Sequence, residues 1–282
     1  MQTVIEQIWN TSQFSKAVSI QPVSGGCINQ AWQVKTLSGQ TYFAKTHDRP
    51  PQHFFAREAE GLQALHDSGS IRCPQVCLVT DSVLVLEFIP PEKPKAGSWS
   101  ELGKQLAHLH NQPATQFGFD HDNYCGSTPQ INTWNINGHA FFAESRLGYQ
   151  TRIAYDNKRI NRRLRDKIDN LGARLEQLIP SQPPSLIHGD LWSGNLLFDS
   201  RGAPVLIDPA CHYGWAEAEL AMTSLFGGFP NAFYAAYEGE RPQVSGWRDR
   251  EPIYNLYHLL NHVNLFGGAY LGQVESIVSH YC

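Results

Sequence analysis

The sequence has no apolar run approaching the roughly 20 residues that a membrane-spanning helix needs, so a helical membrane protein is not expected. Its first residues, Met1-Gln2-Thr3-Val4-Ile5-Glu6-Gln7, lack a basic stretch leading into an apolar core, and no signal peptide is expected. Charge is sparse, at 17% of residues with a net charge of −4. A nucleic-acid partner, which usually meets a clustered basic surface, is therefore not expected either. The one basic cluster, Arg159, Arg162, Arg163, Arg165 and Lys167, is threaded by Ile160, Leu164, Ile168 and Leu171 at helical spacing. It reads as the solvated face of a helix. The six cysteines, Cys27, Cys73, Cys77, Cys125, Cys211 and Cys282, are scattered and suggest reduced thiols in a cytoplasmic protein rather than a disulfide framework. Cys73 and Cys77 have no second pair to complete a zinc site. There is no internal repeat and no low-complexity tract.

What remains is an ordinary globular composition, 41% hydrophobic over 282 residues, enough for one large domain or two lobes. The front half reads as a short helix over 5–14 and strands over 17–23, 29–35 and 40–46. A helix over 53–66 follows, with Phe55, Ala59, Leu62 and Leu65 on one face. Strands at 75–80 and 82–88 complete this half, the last continuously apolar and so buried. Pro90-Pro91-Glu92-Lys93-Pro94-Lys95 reads as a linker. Beyond it, helices are expected near 99–109, 138–149, 156–178, 217–226, 232–238, 252–266 and 268–280. This is an α+β, bilobal, protein-kinase-like layout. Residues 1–89 form an N-lobe with a five-stranded antiparallel sheet and one helix, 90–97 a hinge, and 98–282 a mainly helical C-lobe.

The most informative stretch is His188-Gly189-Asp190-Leu191-Trp192-Ser193-Gly194-Asn195, with Asp208 thirteen residues further on. It is framed by short apolar runs, Ser185-Leu186-Ile187, Leu196-Leu197-Phe198 and Pro204-Val205-Leu206-Ile207, with a turn at Asp199-Ser200-Arg201-Gly202. Asp and Asn are ordinary turn residues taken singly. Together in this strand context they match a phosphotransferase loop, where catalysis needs a base near the acceptor hydroxyl and metal across the phosphates. Asp190 is the candidate base. Asn195 and Asp208 offer the hard oxygen ligands that Mg2+ prefers.

If the back half carries base and metal ligands, the front half should hold ATP. Gly25 and Gly26, between two strands, would let backbone amides approach phosphate oxygens, although a Gly pair there equally marks a hairpin. Lys45 closes the third strand, the place from which a kinase lysine reaches the phosphates. Glu58, thirteen residues on, would pair with it; Glu60 is the competitor, but Glu58 shares the face of Phe55, Leu62 and Leu65. Glu87-Phe88-Ile89 ends the last front strand, where main-chain groups would read the adenine edge.

These residues resemble the fructosamine kinase family. The resemblance is carried by Ser24-Gly25-Gly26-Cys27-Ile28, the Lys45 and Glu58 pair, Cys125-Gly126, Pro129-Gln130-Ile131-Asn132-Thr133-Trp134 and Phe141-Phe142-Ala143-Glu144-Ser145-Arg146-Leu147. It continues through the Asp190 loop, Asp208-Pro209-Ala210, Tyr213-Gly214, Glu217 to Met222 and Phe226-Gly227-Gly228-Phe229-Pro230. It runs from about Ser24 to Phe266. It implies ATP- and Mg2+-dependent phosphorylation of the C3 hydroxyl of free or protein-linked ketosamines, followed by breakdown of the product and release of the amine. By motif, Asp190 would accept the sugar proton, Asn195 and Asp208 would hold Mg2+, Lys45 the phosphates, and Glu87 to Ile89 the adenine. The chain departs from the family at Trp215, where His is usual, and at Glu219, where Asp is usual; both put substrate selection there in doubt.

Trp192, Tyr213 and Trp215 are the candidate substrate contacts, while Trp134 reads as core. Cys27 is either an oxidisable switch beside the phosphates or an inert buried thiol. A monomer is expected. The alternatives are a kinase of the same fold acting on an aminoglycoside, choline or a related alcohol, and an inactive nucleotide-binding scaffold. The latter should have lost Lys45, Asp190, Asn195 or Asp208, all of which are present.

Overall fold

The computed structural model describes residues 2–11, 14–23 and 29–281. Helix α1 (Gln2–Thr11) precedes strands β1 (Ala17–Val23), β2 (Gln30–Thr36) and β3 (Thr41–Thr46), helix α2 (Phe54–Asp67), and strands β4 (Val76–Val79) and β5 (Val83–Glu87). The five strands form one antiparallel sheet in the order β1-β2-β3-β5-β4. Strand periodicity sorts β5 cleanly between two cores. Val83 and Val85 meet Ile5 and Trp9 of α1, while Leu84 and Leu86 face Phe55, Leu62 and Leu65 of α2. The front lobe therefore carries α1 as well as α2, one on each face, rather than a single helix.

The same alternation places Lys45 on the α2 side of β3, because its neighbour Ala44 packs into the α1 core. Glu58 lies between Phe55 and Leu62 on the buried face of α2. A lysine and a glutamate thirteen residues apart thus meet inside the lobe.

After the linker come α3 (Ser98–His110), the hairpin β6 (Asn123–Cys125) and β7 (Thr128–Gln130), and α4 (Gly138–Phe141). A π-helical turn, Phe142–Gly148, leads directly into α5 (Tyr149–Asp156). The helix expected over 156–178 is instead α6 (Arg162–Gly172) and α7 (Leu175–Leu178). Asn161 caps α6, its side chain accepting the Leu164 N–H at 2.9 Å, and the chain turns before it. On α6, Leu164, Ile168 and Leu171 are buried while Arg162 and Arg163 face solvent.

The segment that carries Asp190, Asn195 and Asp208 follows as β8 (Ser185–Ile187), β9 (Leu196–Phe198), β10 (Pro204–Leu206) and β11 (His212–Gly214), with β8 paired to β11 and β9 to β10. Helices α8 (Ala216–Leu225), α9 (Asn231–Glu240), α10 (Trp247–Phe266) and α11 (Leu271–Tyr281) complete the chain. Helix α10 begins five residues before Pro252, the residue that suggested its start. No helix among the described residues is long and apolar enough to cross a membrane.

The two lobes share a core. Phe55, Leu62, Leu84 and Leu86 belong to the same apolar cluster as Leu106, Leu186, Leu206 and Phe233. Gly61 makes this possible: a Cβ there would sit 3.3 Å from Pro209 Cγ, and the Cys211 thiol donates to the Gly61 carbonyl at 3.4 Å. Helix α2 therefore rests directly on the segment that follows Asp208.

Candidate active site

The loop after β8 is held from beneath. Glu219, 2% exposed on α8, accepts the His188 N–H at 2.9 Å and the Gly189 N–H at 2.8 Å. Its Oε2 also lies 3.1 Å from His110 Nε2. The carboxylate at this departure from the family pattern is thus committed to the loop backbone, not to substrate. Gly189 has φ +82°, and a Cβ there would come within 2.2 Å of the Ala210 carbonyl oxygen. Only glycine fits that crossing.

Two strands of loop are then knitted together. The Ile207 N–H donates to the Asn195 carbonyl at 3.0 Å, and Ala210 N–H to the His188 carbonyl at 2.9 Å. His188 Nε2 lies 2.8 Å from the Ile207 carbonyl, so Nε2 carries the proton and Nδ1 accepts the Asp190 N–H at 3.3 Å. Burial lowers the His188 pKa, which keeps this ring neutral. Asp208 sits at the end of the arrangement with φ +58°. That left-handed conformation is costly for a residue with a side chain and turns up at functional sites.

Around this frame the chemistry-bearing groups converge. Asn195 Nδ2 donates to the Asp190 carbonyl oxygen at 2.8 Å and to its Oδ2 at 3.1 Å, so the amide oxygen is on the far side from Asp190. Lys45 Nζ lies 2.6 Å from both Glu58 Oε1 and Asp208 Oδ1. Burial alone would lower the Lys45 pKa, but the Asp208 and Glu58 carboxylates outweigh it and the net shift is upward. Asp190 is pushed up to about 7, chiefly by burial, against the Asn195 hydrogen bond and with a smaller push from the Asp208 charge. A carboxyl poised near neutrality is matched to accepting a proton from a hydroxyl.

Two residues near Asp190 were not among the site candidates, although Cys125-Gly126 is one of the motifs that carry the family resemblance. Cys125 Sγ, an Asp190 oxygen and a ring nitrogen of His258 lie within 4.8 Å of one another. Cys125 ends β6 and His258 sits mid-way along α10, so their neighbourhood is purely tertiary. The hairpin that carries Cys125 is held by Asn132 Nδ2, which donates to Asn123 Oδ1 at 2.9 Å. Arg146, 1% exposed, donates to the Ile131 carbonyl at 2.5 Å and to Asn132 Oδ1 at 2.8 Å. Gln130 Nε2 donates to Asn123 Oδ1 at 2.7 Å.

The aromatic candidates separate. Trp192 is 37% exposed and folds over Gly194, where a Cβ would come within 2.3 Å of its ring. Its far edge meets Phe226, with ring centroids 6.0 Å apart. Tyr213 is half-buried and packs against Trp134 at 5.8 Å. Trp134 is 41% exposed, so the reading of it as core is corrected. Trp215 is corrected in the opposite direction. At 3% exposure among Phe117, Phe142 and Tyr254 it is interior packing under the loop, because α8 starts at the next residue and turns the ring inward.

At the lobe junction the Glu87 N–H is already bonded to the Gln75 carbonyl at 2.9 Å, and its carboxylate holds Arg72 Nη2 at 2.7 Å. Of the expected adenine-reading run, this narrows the available edge to the Glu87 carbonyl and the Phe88-Ile89 main chain. Arg72 Nη1 reaches on to Asp199 Oδ2 at 2.7 Å, tying the junction to the β9-β10 turn. Gly25, Gly26 and Cys27 lie outside the described residues.

A five-stranded lobe presenting a buried Lys-Glu pair to an Asp-Asn-Asp set on a helical lobe is the architecture of a kinase-like phosphotransferase. The profile of the fructosamine kinase family matches residues 1–282, and the chain belongs to that family. A Synechocystis protein named "probable ketoamine kinase" is 42% identical over 98% of this chain and 95% of its own length. The chloroplastic protein-ribulosamine 3-kinase of Arabidopsis thaliana is 38% identical over 98% of this chain and 86% of its own. Among solved structures, a Thermobifida fusca protein provisionally named a fructosamine-3-kinase superposes with a TM-score of 0.88. It is 32% identical, over 95% of this chain and 94% of that one.

Proposed function

We propose that the protein is an ATP- and Mg2+-dependent kinase that phosphorylates the C3 hydroxyl of a ketosamine. The phosphorylated product breaks down and releases the amine, so the activity is deglycation of proteins or metabolites. The observation that carries this reading is the meeting of Lys45, Asp208, Asn195 and Asp190 in a chain that belongs to the fructosamine kinase family. Family membership also favours a ketosamine over an aminoglycoside or choline as acceptor.

The donor set suits a hard divalent cation: a carboxylate at Asp208 and the amide oxygen of Asn195, with no sulfur or imidazole between them. Asn195 and Asp208 would hold such a metal, which would supply neutralisation of the charge that develops on the transferring group. Lys45, fixed by Glu58, holds its own proton and presents a cation to the phosphates. Asp190 accepts the proton of the acceptor hydroxyl. Asn195 orients that carboxylate, and Glu219 holds the loop that carries it. Trp192 and Tyr213 offer faces for the C–H surface of the sugar chain, and Trp134 extends that wall outward.

An ATP-consumption assay over fructosamines, ribulosamines, erythrulosamines, aminoglycosides and choline tests the reading, with the phosphorylated position mapped in the product. Turnover confined to ketosamines with phosphate on C3 is the expected result. Turnover of choline or an aminoglycoside without ketosamine turnover would overturn it.

A further inference from the structure

His258 raises a question that phosphoryl transfer leaves unanswered. Its Nδ1 is buried without a hydrogen-bond partner among the described residues, although the residue is only 6% exposed. The nearest carboxylate oxygen, Asp190 Oδ1, is 3.9 Å away, beyond hydrogen-bond reach. Buried polar atoms are normally satisfied, and an orphan of this kind calls for a missing partner. Burial, with help from the neighbouring His262 and Arg146, lowers the ring's pKa to about 3. The imidazole is therefore neutral and has a lone pair to give.

The missing partner is indicated by what else points to the same spot. Cys125 Sγ, the Asp190 carboxylate and a ring nitrogen of His258 come from β6, the catalytic loop and α10, with no two of these atoms more than 4.8 Å apart, and His258 Nδ1 itself is 3.9 Å from Asp190 Oδ1. Ligand atoms around a tetrahedral zinc ion are about 3.5 Å apart, given Zn–S near 2.3 Å and Zn–N or Zn–O near 2.0 Å. A contraction of about 1 Å, within the reach of side-chain rotation, would close the site. Burial and the Asp190 charge hold the Cys125 pKa well above the ordinary thiol value, so the metal-free site carries a thiol, while Asn261 Nδ2, 3.3 Å from Sγ, would stabilise the thiolate once a metal displaces its proton.

We propose that Cys125, Asp190 and His258 form an inhibitory binding site for a borderline-soft divalent transition metal, with Zn2+ the fitting ion and water in the fourth position. The thiolate and the carboxylate together balance the dication, so the filled site buries no net charge. On binding, the thiol proton leaves to solvent and Sγ, Oδ and Nδ1 each donate a pair to the metal; nothing is oxidised or reduced. Mg2+ is not drawn here, since it prefers oxygen to sulfur and imidazole. It is left to the oxygens of Asn195 and Asp208. While the metal holds Asp190, that carboxylate is not free to take a proton from the acceptor hydroxyl. The loss of activity thus rests on the proposed role of Asp190, whereas the binding itself does not.

Cobalt(II) titration of the metal-free protein tests binding without reference to turnover. One equivalent should produce the sulfur-to-cobalt charge-transfer band and the strong visible absorption of a tetrahedral thiolate site. Both should vanish in Cys125→Ser and weaken in His258→Ala. In parallel, kinase activity is followed as free Zn2+ is raised at fixed Mg2+. Wild type should lose turnover and regain it with a chelator, while Cys125→Ser, with basal turnover kept, should need at least about tenfold more Zn2+. Cys125→Ala serves as the second variant should serine perturb the fold, and a melting curve of each variant checks this.

A cobalt band that survives in both Cys125 variants would assign it to other thiols and overturn the site. So would zinc inhibition that is unchanged in those variants and relieved by extra Mg2+, because that would place the zinc at Asn195 and Asp208. A Cys125-dependent band in a protein that turns over no ketosamine would uphold the metal site and overturn the kinase reading alone.

Discussion

Lys45 Nζ lies 2.6 Å from Asp208 Oδ1, a contact that joins the sheet lobe to the end of the β9-β10 hairpin. The same ammonium holds Glu58, so one buried cation satisfies a carboxylate from each lobe. Replacing it by methionine leaves both acids without their partner. Breaking a buried pair of this type costs about 3–5 kcal/mol. Lys45→Met should therefore lower the urea midpoint substantially as well as abolishing measurable ATP turnover. A midpoint equal to wild type would show that the pair is not buried in solution.

Asp190 titrates near 7 when folded against an ordinary value of 3.8. Between those values the folded protein holds a proton that the unfolded chain has lost. The stability contributed by this group therefore falls as pH rises through that window. In metal-free, nucleotide-free protein, Asp190→Asn should gain on wild type in thermal stability from about pH 4 to 7, while turnover drops by about 10²–10⁴. Melting curves across this pH range decide the first point. Parallel curves for the two proteins would mean that Asp190 stays solvated.

Glu219 provides two acceptors to two loop N–H groups, and glutamine has only one oxygen. Glu219→Gln leaves a buried N–H unpaired at a cost of about 1–3 kcal/mol. Turnover should fall with it, while KM for ATP changes little, because the loop and not the nucleotide cleft is loosened. Steady-state kinetics with both substrates varied, alongside urea unfolding, measures this; an unchanged kcat would remove Glu219 from the positioning role.

Gly194→Ala would drive a methyl into the Trp192 ring. If that ring lines the acceptor site, the substitution should raise KM for the ketosamine and leave KM for ATP alone, and Trp192→Ala should do the same. Trp215→Ala should behave differently, lowering stability by about 3–5 kcal/mol as a buried aromatic does. Acceptor KM values that respond to Trp215 and not to Trp192 would reverse the assignment of the two rings.

Much of the site was legible because it is local. Asp190 and Asn195 are five residues apart, on one loop with a short strand at each end, and Asp208 closes the next strand. Spacing and order were enough to pick them out, and strand and helix periods sufficed for Lys45 and Glu58. Helix ends were less legible. The stop at Asp156 and the restart at Arg162 depend on the Asn161 cap, and α10 begins at Trp247 and carries Pro252 inside its second turn, where a proline reads as a helix start. The short pairs β6-β7 and β8-β11 are three residues long and carry no periodic signal of their own.

By itself, then, the order of residues determined the chemistry: which side chains carry charge, which loop presents them, and which half of the chain holds each. Tertiary structure alone decided what those groups face. It buried Trp215 and exposed Trp134, turned Glu219 onto the loop backbone, and set Cys125 and His258 beside Asp190. The physical reason is that residue type and spacing act over a few positions, whereas burial and side-chain direction are settled by which distant helix or strand packs against each face.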